Sequence, residues 1–597
     1  MPWSYPSHQY EIGLLHEVVR AGFAANRYVH YAGNYADCAS EAEFRVGAEV
    51  VRVVAEPGQP PALWTEGPDA VLARVPGGGW EPTRTVEGRP ELPPHREPEP
   101  LVDVALTFVD GLWCAERPVL GRPVFACAGV PVVMSGESRA EALSDPATAE
   151  TRHDLVRLPD GRWTTEHALG FRYLRIEGAV EEVLVRAFER PTPRRGSFAC
   201  SDPTLTRIWQ VSADTLHACR HGLMIDGIKR DRMPWIGDQA LNTLANAYTF
   251  GDRDIVTSSL VALGRPKDGY VNGIADYSLW WLIGTGFLAR HFDAASYLAA
   301  EADHIDAFTV RLAGLAGPDG FFRPVPSGDD FQLLVFIDWG VNADPTRDVT
   351  ALQVLWFWAL ITSADALESV GHRGAGRWRA LAESVRESLL ASAWDGEAGL
   401  WREYADGTSG PSPYPNFLAV LAGLSGAADV AVAGLMGATP RAGTPFMTGF
   451  LLRALIGIGR PDLAVARIRT LWGGMLDAGA TTFWEEFAGD GSDYEMYGRA
   501  FGKSLCHAWA SGPAALLPEA VLGVRSLADG WARFEVSPQL GDLEWAEASI
   551  PAPQGDIVVA VRDGELRVEV PAGTVLVAAD GERAGPCVVR RPGSVER

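Results

Sequence analysis

From Pro203 onward the chain runs as a long succession of apolar residues at helical spacing, broken at short intervals by loops. Leu205, Ile208, Trp209, Leu216 and Cys219 set the period. It returns near 238–250, 253–264, 276–292, 295–313, 347–370, 374–393, 414–423, 426–436, 444–457, 461–475 and 498–512, which with the first makes twelve segments. Joined alternately by short turns and longer loops, these segments predict six helical hairpins closed into a toroid, an (α/α)6 barrel with its long loops at one mouth. Ser201 or Asp202 is placed to cap the first helix, with Pro203 in its first turn.

The flanks read differently. Apart from a short helix expected at 11–24, residues 1–195 favour short alternating or β-branched runs such as 48–54, 102–109 and 171–176, and 76–100 is rich enough in Gly and Pro to be a loop. An N-terminal antiparallel β-sandwich is expected there, followed by the barrel over 196–517. Over 518–597 the runs 531–536 and 557–570, the latter turning at Asp563-Gly564, predict a C-terminal β-sandwich. A multidomain chain also suits the length of 597 residues.

Charge narrows the partners. A net charge of -24 excludes nucleic acid as the main ligand, because phosphate contacts need a basic face. The seven cysteines form no CxxC pair, so neither a zinc site nor a disulfide framework is signalled, and no metal or cofactor is expected. The opening residues lack the pattern of a secretory leader and no apolar run approaches membrane-spanning length, so no membrane partner and a cytoplasmic location are expected.

Unusual residues fall in the loops. The stretch 224–239, MIDGIKRDRMPWIGDQ, brings Asp226, Asp231 and Asp238 together with Lys229, Arg230, Arg232 and Trp235. Crowded carboxylates in a poorly solvated cleft split their pKa values, and an indole beside them suits a sugar: an apolar face for the ring, acceptors for the hydroxyls. The plainer alternative is a solvated, salt-bridged loop. Thr481–Phe487 supplies a second acidic group, Glu485 and Glu486 beside Trp484, which also reads as a helix start. Glycoside hydrolysis needs two carboxyl groups on opposite sides of the scissile bond, and a barrel mouth can place two acidic sites far apart in sequence so. Asp276 is placed to cap a helix carrying the platform Trp280-Trp281, although both indoles also read as core. Asp338 and Trp339 lie in a long loop suited to sugar stacking. His507 is a hydroxyl ligand or a satisfied core histidine.

These motifs, in this order, resemble the bacterial α-L-rhamnosidases, glycoside hydrolase family 78. The resemblance runs from about Glu166 to the carboxy terminus and rests on Gly170-Phe171-Arg172-Tyr173, Gly196-Ser197-Phe198, Ser201-Asp202-Pro203, the 224–239 stretch, Asp276–Trp281, Phe336–Gly340 and Thr481–Glu485. It implies inverting, exo-acting hydrolysis of a terminal α-L-rhamnosyl residue, with a rhamnosyl glycoside or oligosaccharide as partner; a homodimer is left open by the sequence. By position, Asp226, Arg230, Asp231, Trp235 and Asp238 match the family's substrate-binding loop and Glu485 its general base. The chain departs from the pattern where the family's general-acid glutamate follows an Arg-Asp pair. Here Arg230-Asp231 is followed by Arg232, which leaves Asp231, Asp238 and Glu486 as candidate proton donors. A sugar-binding protein without activity, or a six-hairpin glycosidase for another sugar, are the alternatives.

Overall fold

A computed structural model describes residues 2–6, 41–55, 61–65, 70–87, 90, 101–151, 153–264, 269–326, 334–339, 341, 344, 346–424, 429–439, 443–489, 491, 494–578 and 580–592. The helix expected at 11–24 and most of 88–100 lie outside these residues.

Among the described residues, twelve helices follow one another after Asp202: α1 (Pro203–Ala218), α2 (Ile236–Thr249), α3 (Arg253–Leu263), α4 (Ala275–His291), α5 (Ala295–Ala313), α6 (Thr350–Ser369), α7 (Ala375–Ser392), α8 (Pro413–Leu421), α9 (Asp429–Ala438), α10 (Pro445–Gly457), α11 (Pro461–Asp477) and α12 (Pro513–Leu522). Asp202 caps α1, accepting from the N–H groups of Thr204 and Leu205 ahead of Pro203. The even-numbered helices touch in a closed circuit, α2 to α4, α6, α8, α10, α12 and back to α2, and the odd-numbered ones pack outside them. Sequence and position agree in this. α2 is buried along its whole length, whereas outer α7 buries only Trp378, Ala382, Val385 and Leu389. Inner α6 corrects one expectation: it is long and apolar enough to cross a membrane, and it is apolar because 83% of that stretch is buried against other helices.

The twelfth helix is not where periodicity put it. Residues 498–507 are irregular, because Gly498 turns with a φ of 69° and the carbonyls of Phe501, Gly502 and Lys503 accept from Lys229 and Arg230 rather than from a helix. The helix comes next, as α12, and runs through Pro518. Proline cannot donate to the carbonyl four residues back. That carbonyl, Ala514 O, accepts instead from the Trp209 indole N–H at 2.9 Å.

The flanks are mostly antiparallel sheet. An eight-stranded sheet spans Leu101–Phe188 on the N-terminal side, with smaller sheets over 2–87. Within the expected 76–100 loop, Glu81–Pro82 and Arg84–Glu87 are strands, because Val71–Arg74 and Pro2–Tyr5 give them partners. On the C-terminal side are a five-stranded and a four-stranded sheet. The latter contains a parallel pairing of Arg533–Glu535 with Val575–Ala578, a departure from the all-antiparallel expectation. The edge strand of the five-stranded sheet is Ser197–Cys200, immediately before α1, paired with Ala546–Ala552.

Candidate active site

Three loop segments meet at one mouth of the helical ring. Ser504–Ala508 is threaded between the other two: Ala508 N–H donates to Asp226 O (2.7 Å), His507 N–H to Phe483 O (2.9 Å), and Glu485 N–H to Ser504 O (2.9 Å). The 226–238 loop is shaped by two consecutive left-handed residues, Asp231 (φ 57°) and Arg232 (φ 56°), and pinned by Asp226, which accepts from Met233 N–H at 2.8 Å. Backbone strain of this kind is held only where the surroundings over-determine it.

The segments enclose a cavity of about 340 Å³, lined by Asp226, Arg230, Asp231, Trp235, Asp238, Ile274, Tyr277, Phe336, Trp339, Glu485, Tyr497, Arg499, His507 and Trp509. Aromatic walls around a few convergent polar groups are the usual make-up of a small-molecule site. The rings brace one another. Phe336 meets Trp339 edge-on at 4.9 Å, Trp339 meets Tyr497 at 5.8 Å, and His507 lies 4.4 Å from Trp509.

Arg230 organises the charges. Its Nε donates to Gly502 O (2.6 Å), its Nη1 to Asp231 Oδ2 (2.7 Å) and its Nη2 to Glu485 Oε2. Glu485 also accepts from Ser504 N–H at 3.1 Å. Burial pushes the Glu485 carboxyl up, but Arg230 and His507 outweigh it and hold the group below the usual glutamate range. A buried carboxylate kept anionic can accept a proton from water. Asp226 and Asp238 move the other way: burial raises both, Asp226 strongly because Asp231 and Asp238 add like charge, while His507, with Nε2 3.3 Å from Asp238 Oδ1, pulls Asp238 back in part. The Asp231 side chain is 16% exposed against 2% for that of Asp238, so Asp231 lies nearer the mouth.

Of the residues singled out in the sequence, Asp226, Arg230, Asp231, Trp235, Asp238, Trp339, Glu485 and His507 share this cavity. Five do not. Trp281 is wholly buried, its N–H on Leu260 O and its ring against Phe308 and His304, so it is core. Asp276 caps nothing; its two oxygens accept from Phe336 N–H (2.8 Å) and Ile337 N–H (3.1 Å), fixing the neighbouring loop. Asp338 is buried on Thr444 and Tyr414. Trp484 packs on Phe487 and Tyr494. Glu486 follows Glu485 in an irregular segment, not at a helix start, and does not line the cavity. Arg232, in the place of the expected glutamate, is fully buried and donates to the carbonyls of Ile228, Ala168 and Lys229; burial lowers it to about 9. Tyr497 and Arg499 were missed because their segment ran into the expected 498–512 helix, although the Tyr497-Gly498 pair is a turn signal. Among the described residues no His, Cys, Asp or Glu group is arranged to hold a metal ion.

The helical circuit and the loop-built pocket define the architecture: a six-hairpin domain within a multidomain chain. Residues 193–278 match the bacterial α-L-rhamnosidase six-hairpin glycosidase domain and residues 523–579 the bacterial α-L-rhamnosidase C-terminal domain. Over these two stretches the chain is similar to the bacterial α-L-rhamnosidases, glycoside hydrolase family 78. The family 78 rhamnosidase of Bacillus sp. GL1 is 25% identical with a TM-score of 0.62, over 77% of this chain and 52% of its own, so the chain spans about half that enzyme's length. The Klebsiella oxytoca rhamnosidase with rhamnose bound (22%, TM-score 0.58, 69% of this chain and 88% of that one) and the Streptomyces avermitilis α-L-rhamnosidase complexed with L-rhamnose (17%, TM-score 0.65, 88% and 56%) share the fold. No curated protein sequence matches the chain.

Proposed function

We propose that the protein is an exo-acting α-L-rhamnosidase that releases terminal α-L-rhamnose from small glycosides or oligosaccharides with inversion. In this reading the helical circuit is an (α/α)6 barrel that runs from α1 to the end of α12, 203–522 rather than the expected 196–517, flanked by β-sandwiches that brace it. The observation that carries the function is Glu485, an anionic carboxylate facing the family-matched 226–238 loop across one aromatic cavity. Glu485 takes a proton from water, whose oxygen bonds to the anomeric carbon as the glycosidic bond breaks on the opposite face. An aspartate of the loop gives its proton to the departing oxygen. Asp231 is assigned that step, because in an exo-enzyme the glycosidic oxygen lies toward the mouth. Buried Asp226 and Asp238, with His507, then hold sugar hydroxyls, and Trp235 and Trp339 face the ring.

The test is release of p-nitrophenol from its α-L-rhamnoside, set beside other aryl deoxyglycosides and pentosides. Glu485→Gln should cost on the order of 10²–10⁴-fold in kcat, the usual worth of a general base. Release from another glycoside alone would change the sugar. One observation favours a second reading, a sugar-binding protein without activity: the residue after Arg230-Asp231 is an arginine turned onto backbone carbonyls. Rhamnose binding with no release from any substrate would establish it.

A further inference from the structure

One wall of the cavity is held from the N-terminal side of the molecule. Tyr497 and Gly498 form the tip of a tight turn closed by Met496 N–H to Arg499 O (3.1 Å) and Arg499 N–H to Met496 O (3.0 Å). Both tip residues are left-handed, with φ of 55° and 69°, as a type I′ turn requires. Glycine does this without strain, whereas a tyrosine there needs an outside hold. The Tyr497 ring lies within reach of two guanidiniums, Arg230 at 5.3 Å and Arg499 at 5.5 Å, and its hydroxyl is 3.5 Å from Glu485 Oε1. Arg499 in turn is ion-paired with Glu150, from the segment just before the last strands of the N-terminal sheet, and the Glu150 side chain is only 4% exposed. A buried carboxylate that close to a guanidinium gives a directional, charge-assisted contact.

We propose that Glu150 is a positioning residue for the active site: acting through Arg499, it fixes the Met496–Arg499 turn so that Tyr497 closes the cavity wall and donates a hydrogen bond to Glu485. The proposal rests on Glu485 being the base of the reaction proposed above. Glu485 is faced by Arg230, Asp231 and Asp238 of the catalytic loop, by His507 and by Tyr497, so loss of one donor shifts its titration without abolishing it. On the same side Lys229, held by Glu137 (3.5 Å) and Glu141 (3.3 Å), also donates to the Phe501 and Lys503 carbonyls, and Arg230 Nη2 reaches Met496 Sδ (3.6 Å). The start of the turn and the segment after it are thus held from the 226–238 loop, while Glu150 holds Arg499 at its end.

The test compares Glu150→Gln, Tyr497→Phe and the double variant by the pH dependence of kcat/KM on p-nitrophenyl α-L-rhamnoside. A hydrogen bond to a charged group lost in either single variant predicts a roughly tenfold or greater fall in kcat/KM. The acid limb should move to higher pH in both, with no further shift in the double variant, the signature of one shared interaction. Glu150→Asp, which keeps the charge, should recover part of the loss, and it replaces Glu150→Gln throughout if that variant does not fold. A limb unmoved by the Glu150 change, or additive effects in the double variant, would overturn the proposal. A crystal structure of the variant decides it without activity: Tyr497 should leave Glu485, and an unmoved turn refutes the role. A wild type that hydrolyses nothing would instead count against the function, and the crystallographic comparison would still judge Glu150.

Discussion

Arg230 has one hydrogen bond to a carbonyl and two to carboxylates, and the division of labour in the cavity follows from it. It holds Glu485 anionic and also grips Asp231, so the two carboxyls proposed to react flank a single guanidinium. If Asp231 is the proton donor, Asp231→Asn should keep activity on an aryl glycoside, whose leaving group needs little protonation, far better than on a disaccharide. Equal losses on both would move the role to Asp238. At this scale the sequence disclosed residues whose chemistry is rare in a loop, carboxylates and cations beside an indole. It did not disclose which way they face. Trp281 and Trp339 read alike along the chain, yet one fills the core and the other lines the cavity, a distinction made by neighbours such as Phe308 and Tyr497.

The helices were legible because their period is local, and α1 even declared its cap in Asp202-Pro203. Residues 498–507 were not, since their carbonyls are claimed by Arg230 and Lys229 about 270 positions earlier, as in the Arg230–Gly502 bond at a separation of 272. The loop before α10 makes a related point. Asp338 accepts from Thr444 N–H (3.0 Å), Thr444 Oγ1 (2.7 Å) and Tyr414 (3.3 Å), yet burial pushes it up to about 7. A carboxyl whose folded-state value stands above its unfolded one contributes stability at low pH and loses it as pH rises through the folded value. Thermal midpoints should therefore fall between about pH 5 and pH 7, and Asp338→Asn should flatten that slope. An unchanged slope would show that other groups govern it.

At the scale of the molecule, the sheets touch the chemistry directly. Gly170, in the eight-stranded sheet, lies against the 226–238 loop so closely that a Cβ would run into the Ile228 carbonyl and the Lys229 nitrogen. Overpacking of this kind costs about 1–3 kcal/mol. Gly170→Ala should lower the unfolding midpoint and, by displacing the loop that carries Arg230, reduce kcat/KM more than tenfold; full activity with an unchanged midpoint would refute the close contact. The motif Gly170–Tyr173 carried part of the family resemblance, and its physical reason, a strand pressed against a loop, could not be read until both were in place.

The edge strand Ser197–Cys200 has a consequence in time. Its partner Ala546–Ala552 is made long after it, as is the partner of Arg195, Asp556, which lies 361 residues further on. At roughly 5–20 residues per second of synthesis, the strand waits on the order of tens of seconds unpaired on the nascent chain. The helical circuit is in the same position, since α12, which closes it onto α2 and takes the indole N–H of Trp209 on its Ala514 carbonyl, is made last of the twelve. Ring and sheet are therefore fastened together only once residues 513–552 are made, and a ribosome that stops before Pro513 leaves the first helix without its partner in the last.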